Sequence, residues 1–347
     1  MNHSKNTEKV DFLLAESRID SFATDIIEDL FTRMLRIRLF EECVVDLLYK
    51  KDIICPVHLY VGQEAISAGV CANLNDNDYV FSTHRSHGHY IAKGGSLNAL
   101  MAELYGKESG CSHGKGGSMH LVEPEIGYMG SSAIVAGSIP IAVGASFSAL
   151  HNGDKQISVA FFGDGAMDEG VSYESFNLAS LYNLPMVFIC ENNLFSTHLP
   201  VFKRHKNQNL FEKVRAFNIK AIRIDGNNPF EVYTAANECI ENVRKGNGPV
   251  FIECMTFRWL AHVGPTPDLD IGYRKKKDVE FWMERCPIKA IKHILEKRSG
   301  WEKSKTEAIE NKIRIEVQES LKYARQGSYP SVNEINKGIF SEKAEGK

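Results

Sequence analysis

The stretch ISVAFFGDGAMDEGVSYESFNLASLYNLPMVFICENN, residues 157–193, decides the fold of this 347-residue chain. A strand-like apolar run ends at the GDG sequence of residues 163–165, a helical pattern follows, and a second apolar run ends at Asn192-Asn193. In a right-handed strand-helix-strand unit, both strands end at the same edge of a parallel sheet. We therefore expect Asp164 and Asn193 to converge at this edge.

The residue types at this edge indicate a metal-diphosphate site. A carboxylate and an amide oxygen are the hard donors that Mg²⁺ prefers when it also holds a diphosphate. Gly163 and Gly165 permit a tight turn that brings backbone N–H groups to a phosphate. Asp-Gly turns are common by themselves, but the flanking strands and helix make an ordinary turn the weaker alternative. Neither G-x-G-x-x-G after a strand nor G-x-x-x-x-G-K-[ST] is present.

The rest of the chain continues the alternation of strands and helices. Strand-like runs lie at residues 79–82, 157–162, 186–190, 219–224 and 250–256. Helical patterns lie at residues 25–50, 169–182 and 229–244. The sequence therefore predicts an α/β fold, with a mostly parallel sheet and helices on both faces.

Three regions follow from these patterns. Residues 1–25 are predicted to form an N-terminal arm, and residues 26–277 the α/β domain. Residues 278–347 are predicted to form a helical C-terminal extension, with helices at 280–297 and 306–325.

Composition excludes several classes of protein. A formal net charge of −3 provides no basic field for nucleic acid. The eight cysteines have no Cys-x-x-Cys or zinc-site spacing, so they are expected to be reduced. The polar N-terminus has no signal or transit pattern, which favours a cytoplasmic location.

One uncharged stretch, residues 126–152, is long enough to span a membrane. Its serines, glycines and Pro140 argue against a membrane span. We expect a buried helix instead, with Gly144 and Ser148 on one face, where another subunit could approach closely.

Five blocks in order carry a resemblance to a known family: HLYVGQEA (58–65), STHRSHGH (82–89), GKGGSMH (114–120), the GDG-to-ENN segment, and GPVFIECMTFRW (248–259). Together they resemble the α subunit of thiamine-diphosphate-dependent 2-oxo-acid dehydrogenases of the pyruvate or acetoin type. The resemblance implies the thiamine-diphosphate-binding fold, with thiamine diphosphate and Mg²⁺ as cofactors.

The resemblance also implies roles for individual residues. Mg²⁺ would be held by Asp164, Asn193 and the main-chain carbonyl of Phe195. The other cofactor-binding positions that the family's motifs match are His84, Arg85, Ala133, Val135, Gly163, Gly165, Ala166, Arg258 and His262. Among these, the two arginines would neutralise the diphosphate, and Ala133 and Val135 would lie against the aminopyrimidine. Many relatives have Tyr at the position of His84, so this chain departs from the family there.

Two histidines match the positions that carry the family's chemistry. His58 corresponds to a residue that meets the substrate, and His262 to the loop that closes over the cofactor. An imidazole can exchange a proton near neutral pH or, when charged, bind a carboxylate. The loop that follows, VGPTPDLDIGYR, replaces the serine-bearing stretch that is phosphorylated in mitochondrial relatives, so that form of control is not expected.

The resemblance finally implies partners and a reaction. The family's catalytic Glu, which activates the aminopyrimidine, lies on a β subunit, so an assembly of two α and two β subunits is expected. The reaction would be oxidative decarboxylation of a 2-oxo acid, pyruvate being favoured, with transfer of the acyl unit to the lipoyl group of an acyltransferase. An acetoin dehydrogenase, a related enzyme with a non-lipoyl acceptor, and an inactive nucleotide-binding module stay open. Neither nucleic acid nor a membrane is an expected partner.

Overall fold

The computed structural model describes residues 21–334 and residue 337. Its strands are β1 (Tyr79–Ser82), β2 (Tyr128–Ser131), β3 (Ser158–Gly163), β4 (Met186–Asn192), β5 (Phe195–Ser196), β6 (Leu199–Pro200), β7 (Lys220–Asp225) and β8 (Val250–Met255). Six of them form a parallel sheet in the order β2-β1-β3-β4-β8-β7. Strands β5 and β6 form a small antiparallel hairpin.

Helices connect the strands and cover the sheet. They are α1 (Thr24–Tyr49), α2 (Glu64–Cys71), α3 (Ser86–Ala92), α4 (Leu97–Leu104), α5 (Ser138–Asn152), α6 (Gly170–Leu181), α7 (Val201–Arg204), α8 (Leu210–Arg215), α9 (Pro229–Arg244), α10 (Lys276–Glu284), α11 (Pro287–Lys297) and α12 (Lys303–Gln326). Short 3₁₀ turns lie at Pro124–Ile126, Asp164–Asp168, Leu269–Ile271 and Val332–Glu334. Helix α9 begins as its sequence predicts, because Pro229 occupies the first turn and the Asn228 side chain accepts the N–H of Phe230 at 3.1 Å.

Strand residues alternate between two apolar cores. Val159 and Phe161 face the core formed with helices α1 to α4, α9, α11 and α12, whereas Ala160 and Phe162 face the core formed with α5, α6 and α8. Both faces of the sheet are therefore covered. The predicted α/β fold with helices on both faces, ending in helices, is confirmed.

The C-terminal helices differ from the prediction at one point. A single helix was expected over 280–297, but α10 ends at Glu284 and α11 begins at Pro287. Proline lacks the N–H that a continuing helix needs, which explains the break. Helix α12 packs on the same core as α1. The region boundaries at 25 and 277 stay predictions, and residues 1–20 of the arm lie outside the described residues.

The uncharged stretch also differs from the prediction. Its first residues form a 3₁₀ turn and strand β2, and only residues 138–152 are helical. Helix α5 is not fully buried in this chain, because Ile141 is 61% exposed and Gly144 and Ser148 also face outward. The expected close-approach face thus exists, and within this chain it is open. The described residues include no helix long and apolar enough to cross a membrane.

Candidate functional site

The carboxyl ends of the parallel strands bring the predicted residues to one edge of the sheet. His84 and Arg85 follow β1, Asp164 follows β3, and Asn193 follows β4. Strands β3 and β4 are neighbours, with Gly163 paired opposite Glu191. Asp164 and Asn193 therefore leave adjacent strands side by side, as the sequence predicts.

The Asp164 carboxylate is buried and only partly paired. It is 1% exposed, its Oδ2 accepts from Arg204, and its Oδ1 has no hydrogen-bond partner within the described chain. Burial raises the pKa of Asp164 to about 6, and the Arg204 charge opposes this rise. Asn193 donates from Nδ2 to Gln63 Oε1 at 3.1 Å, and its Oδ1 accepts the Phe195 N–H at 3.3 Å. This set offers a carboxylate, an amide oxygen and a neighbouring carbonyl to a hard cation.

The turn after β3 is a short 3₁₀ turn with Gly163 and Gly165 on either side of Asp164. Residues 164–168 form a 3₁₀ turn whose Ala166 carbonyl accepts from Ser172 Oγ at 2.6 Å. A Cβ at Gly165 would lie 2.6 Å from Ser196 Oγ, so a larger residue would require the Ser196 side chain to move. At Gly163 no other atom lies within 4 Å of such a Cβ, which leaves the backbone open on that side.

Arg258 lies beneath the hairpin and the loop of residues 262–274. It is 1% exposed and donates from Nη2 to the Thr197 carbonyl at 2.6 Å and to the Tyr273 hydroxyl at 2.7 Å. Asp268 pairs with both Arg258 and Arg274, and these ion pairs hold the loop against Arg258. The Nε of Arg258 has no partner among the described residues, which leaves a buried donor for an anion.

Three imidazoles meet beside Arg85. The ring centroids of His58 lie 4.8 Å from those of His84 and His262, and the last two are 5.4 Å apart. Arg85 donates to the Leu59 carbonyl at 2.7 Å and to the His262 carbonyl at 3.0 Å. The two histidines predicted to carry the chemistry are therefore brought together, with His84 as a third member.

Burial keeps these imidazoles neutral. Desolvation, reinforced by Arg85, lowers the pKa of His58 to about 4, of His84 to about 2 and of His262 to about 3. Desolvation and Arg258 lower the pKa of Arg85 to about 9, so it stays charged at neutral pH. In this chain the cationic groups of the site are its arginines, and the imidazoles serve as neutral donors and acceptors.

The two remaining predicted positions lie on the segment before α5. Ala133 is half-buried and Val135 is 45% exposed. The N–H of Ser132 donates to the Ser82 carbonyl at 3.3 Å, which fixes this segment beside the end of β1. Both residues thus lie at the same edge of the sheet, and both are accessible to solvent in this chain.

Sequence patterns do not identify several residues that shape the site. Arg204 and Asp268 pair with predicted residues, but no motif or period relates them to their partners. Glu191, which directly precedes Asn192-Asn193, accepts from Tyr60 and faces His89 Nε2 at 3.0 Å. The sequence pattern of strand β4 predicts only that Glu191 lies near the edge of the sheet. Its contacts with Tyr60 and His89 arise only in the folded chain.

Comparison with known proteins settles the family. Residues 32–333 match the family described as dehydrogenase E1 component. The chain belongs to this family. Its members use thiamine diphosphate, and alpha subunits of such enzymes pair with beta subunits. The predicted recognition of the chain as an alpha subunit of this kind is confirmed.

Individual relatives include both expected types. The chain is 37% identical to the alpha subunit of acetoin:2,6-dichlorophenolindophenol oxidoreductase of Bacillus subtilis, over 90% of this chain and 92% of the relative. It is 34% identical to the alpha subunit of the pyruvate dehydrogenase E1 component of Porphyra purpurea, with the same two coverages. A Rickettsia felis subunit of the same name is 35% identical over 89% of this chain and 94% of the relative.

Proposed function

We propose that this chain is the alpha subunit of a thiamine-diphosphate-dependent enzyme that oxidatively decarboxylates a 2-oxo acid, pyruvate being favoured. One observation carries the proposal: in a chain of this family, Asp164 and Asn193 leave adjacent parallel strands at the same edge of the sheet, beside the glycine-flanked 3₁₀ turn. The acyl unit would pass to the lipoyl group of an acyltransferase, and the enzyme would act in the cytoplasm.

The cofactor site is assigned by the chemistry of its donors. Asp164, Asn193 and the Phe195 carbonyl would hold Mg²⁺, and the unpartnered Asp164 Oδ1 fits this role. Backbone groups of residues 163–166 would receive the diphosphate. The charges of Arg85 and Arg258 would offset its negative charge, and the free Nε of Arg258 is a donor for it. His84 borders this region, and Ala133 and Val135 would face the aminopyrimidine.

Thiamine diphosphate, when bound, supplies a nucleophilic carbon and an electron sink. The chain's own residues orient the substrate and control its protons. His262 Nδ1 lies 3.3 Å from Arg85 Nη2 and so accepts from it, which leaves Nε2 as the protonated nitrogen of the neutral ring. His262 can therefore donate a hydrogen bond to a substrate oxygen, while His58 supplies a second polar group opposite.

A beta subunit would complete the site. Helix α5 and the end of helix α6 expose apolar side chains: the rings of Phe147 and Tyr182 lie 5.2 Å apart and Leu181 is 71% exposed. Ile134, at 71% exposure, lies between the two positions assigned to the aminopyrimidine. Clustered exposed apolar side chains are typical of a site of protein association. An assembly of two alpha and two beta subunits would cover it and exclude water from the cofactor.

Reconstitution with the beta subunit tests the proposal. The complex is expected to bind thiamine diphosphate only with Mg²⁺ and to decarboxylate pyruvate with a dye or a lipoyl domain as acceptor. Loss of turnover in Asp164→Asn, with assembly preserved on a sizing column, would support the assigned site. Cofactor binding that does not need Mg²⁺ would refute it.

Acetoin is a second candidate substrate, favoured by the three neutral imidazoles. Cleaving a 2-hydroxy ketone requires removal of the hydroxyl proton as the carbon–carbon bond breaks, whereas a 2-oxo acid releases carbon dioxide without that step. A neutral imidazole can accept such a proton, and His58 Nδ1 has no partner within the described residues. Turnover of acetoin that exceeds turnover of pyruvate in the same complex would select this candidate.

A further inference from the structure

Arg204 forms an ion pair with Asp164, the carboxylate that is assigned to the metal. It ends helix α7, its side chain is 6% exposed, and its Nη2 pairs with Asp164 Oδ2. Its Nη1 pairs with Asp168 Oδ2, at the far end of the same 3₁₀ turn. One guanidinium therefore bridges a buried carboxylate and a carboxylate that is 30% exposed.

This contact has a physical reason. Asp164 is 1% exposed, and a buried ionised carboxylate without a positive partner is strongly unfavourable. Arg204 is the group that supplies positive charge to it directly, since the other oxygen, Oδ1, has no hydrogen-bond partner in the described chain. A Mg²⁺ ion at this carboxylate would supply that charge and would repel the neighbouring guanidinium.

The same loop carries a metal donor and this competing cation. Phe195, whose carbonyl is assigned to the metal, lies in β5 at the start of the hairpin, and Arg204 ends the helix that follows the hairpin. Asp168 offers the arginine a second position, since it already binds the other nitrogen. Phe195 and Arg204 therefore lie in one short segment, so a change in the position of either residue affects the other.

We propose that Arg204 is an internal counter-cation of the metal site, which neutralises Asp164 in the metal-free chain and withdraws onto Asp168 when a divalent cation binds. The inference rests on the metal site of the proposed function. The Arg204–Asp164 contact then lowers the affinity of the site for metal, because it stabilises the empty site and must be broken when the ion binds.

Calorimetry of the alpha-beta complex tests this role. Mg²⁺ is titrated into wild type and Arg204→Gln at saturating thiamine diphosphate, and melting temperatures are recorded with and without Mg²⁺. Arg204→Gln is expected to bind Mg²⁺ about tenfold more tightly, because no contact must be broken. Its metal-free form should melt at a lower temperature than wild type, and the gain in melting temperature on adding Mg²⁺ should be larger.

The neighbouring Lys203 provides the matched control. Lys203 lies in the same helix and is exposed. Lys203→Gln therefore removes one positive charge, as Arg204→Gln does, but leaves the ion pair of Asp164 with Arg204 in place. Its Mg²⁺ affinity should equal that of wild type. If Arg204→Gln does not fold without metal, Arg204→Lys, which keeps the charge but not both contacts, should still bind Mg²⁺ more tightly than wild type.

Three outcomes overturn the inference: unchanged Mg²⁺ affinity in the Arg204 variants, weaker affinity, or an equal gain in Lys203→Gln. Weaker affinity would mean that Arg204 contacts the diphosphate instead. If wild type itself shows no Mg²⁺-dependent binding of thiamine diphosphate, the proposed function fails, which is a distinct result.

Discussion

Replacing Glu103 with glutamine should destabilise the chain strongly although the two side chains have nearly the same shape. Glu103 is fully buried in α4. Its Oε2 accepts the N–H groups of Ser112 and Gly114 at 2.8 and 2.9 Å, and its Oε1 accepts those of Gly116 and Gly117 at 2.7 and 3.1 Å. One carboxylate therefore holds the whole glycine-rich loop.

The structure sets the size of this effect. Glutamine keeps one accepting oxygen and turns an NH₂ group toward the other two backbone donors. Each buried donor left without a partner costs about 1–3 kcal/mol, so Glu103→Gln should lower the free energy of unfolding by about 2–6 kcal/mol. That is a large part of the roughly 5–15 kcal/mol that stabilises an ordinary domain.

The damage should reach the cofactor site. The carbonyl of Ser118, in the same loop, accepts from Ser86 Oγ at 2.7 Å, and Ser86 follows Arg85. Urea unfolding would measure the loss of stability, and hydrogen exchange would follow the four loop amides. The exposed Glu108 is the control, and Glu108→Gln should change stability by less than about 0.5 kcal/mol. A loss below about 0.5 kcal/mol in Glu103→Gln, or unchanged exchange of those amides, would refute the reasoning.

Two further changes test the packing and the charges around the imidazoles. A Cβ at Gly88 would lie 2.1 Å from the buried Tyr60 ring, so Gly88→Ala should cost about 1–3 kcal/mol of overpacking; Gly170→Ala, which meets no atom within 4 Å, should melt close to wild type. Burial and Arg85 lower the pKa of His84 from 6.5 to about 2 in the folded chain. Below pH 6.5 the unfolded chain therefore binds more protons than the folded chain, so the free energy of unfolding falls as pH falls. Melting curves at pH 7.5 and 5.0 should show a smaller drop in melting temperature for His84→Gln than for wild type.

The central strands could be predicted from sequence because parallel strands in this sheet are buried on both faces. Strand β1 and helix α9 match their predicted bounds, and β3, β4, β7 and β8 differ by no more than two residues at either end. Strand β2 and the hairpin of β5 and β6 were missed, since they are short and carry little apolar pattern. The break between α10 and α11 was missed although Pro287 indicates it, because the same amphipathic period continues on both sides of the proline.

The candidate site divides in the same way. Asp164 and Asn193 could be placed together because both strands of a right-handed strand-helix-strand unit end at the same edge of a parallel sheet. The roles of His58, His84 and His262 were expected only from a resemblance, and the contact between their rings was not predicted, since no local period relates them. Contacts such as those of Glu103 with its loop join distant residues through the folded backbone, and a single sequence carries no signal for them.

The most direct test is the Mg²⁺ dependence of thiamine diphosphate binding in the reconstituted complex, measured by calorimetry for wild type, Asp164→Asn and Asn193→Ala. Wild type should bind the cofactor with Mg²⁺ and lose this binding when the metal is chelated. Each variant should bind at least about tenfold more weakly, a cost of 1.4 kcal/mol or more. Binding in both variants that equals wild type, or wild-type binding that ignores Mg²⁺, would contradict a metal-diphosphate site at the edge of β3 and β4.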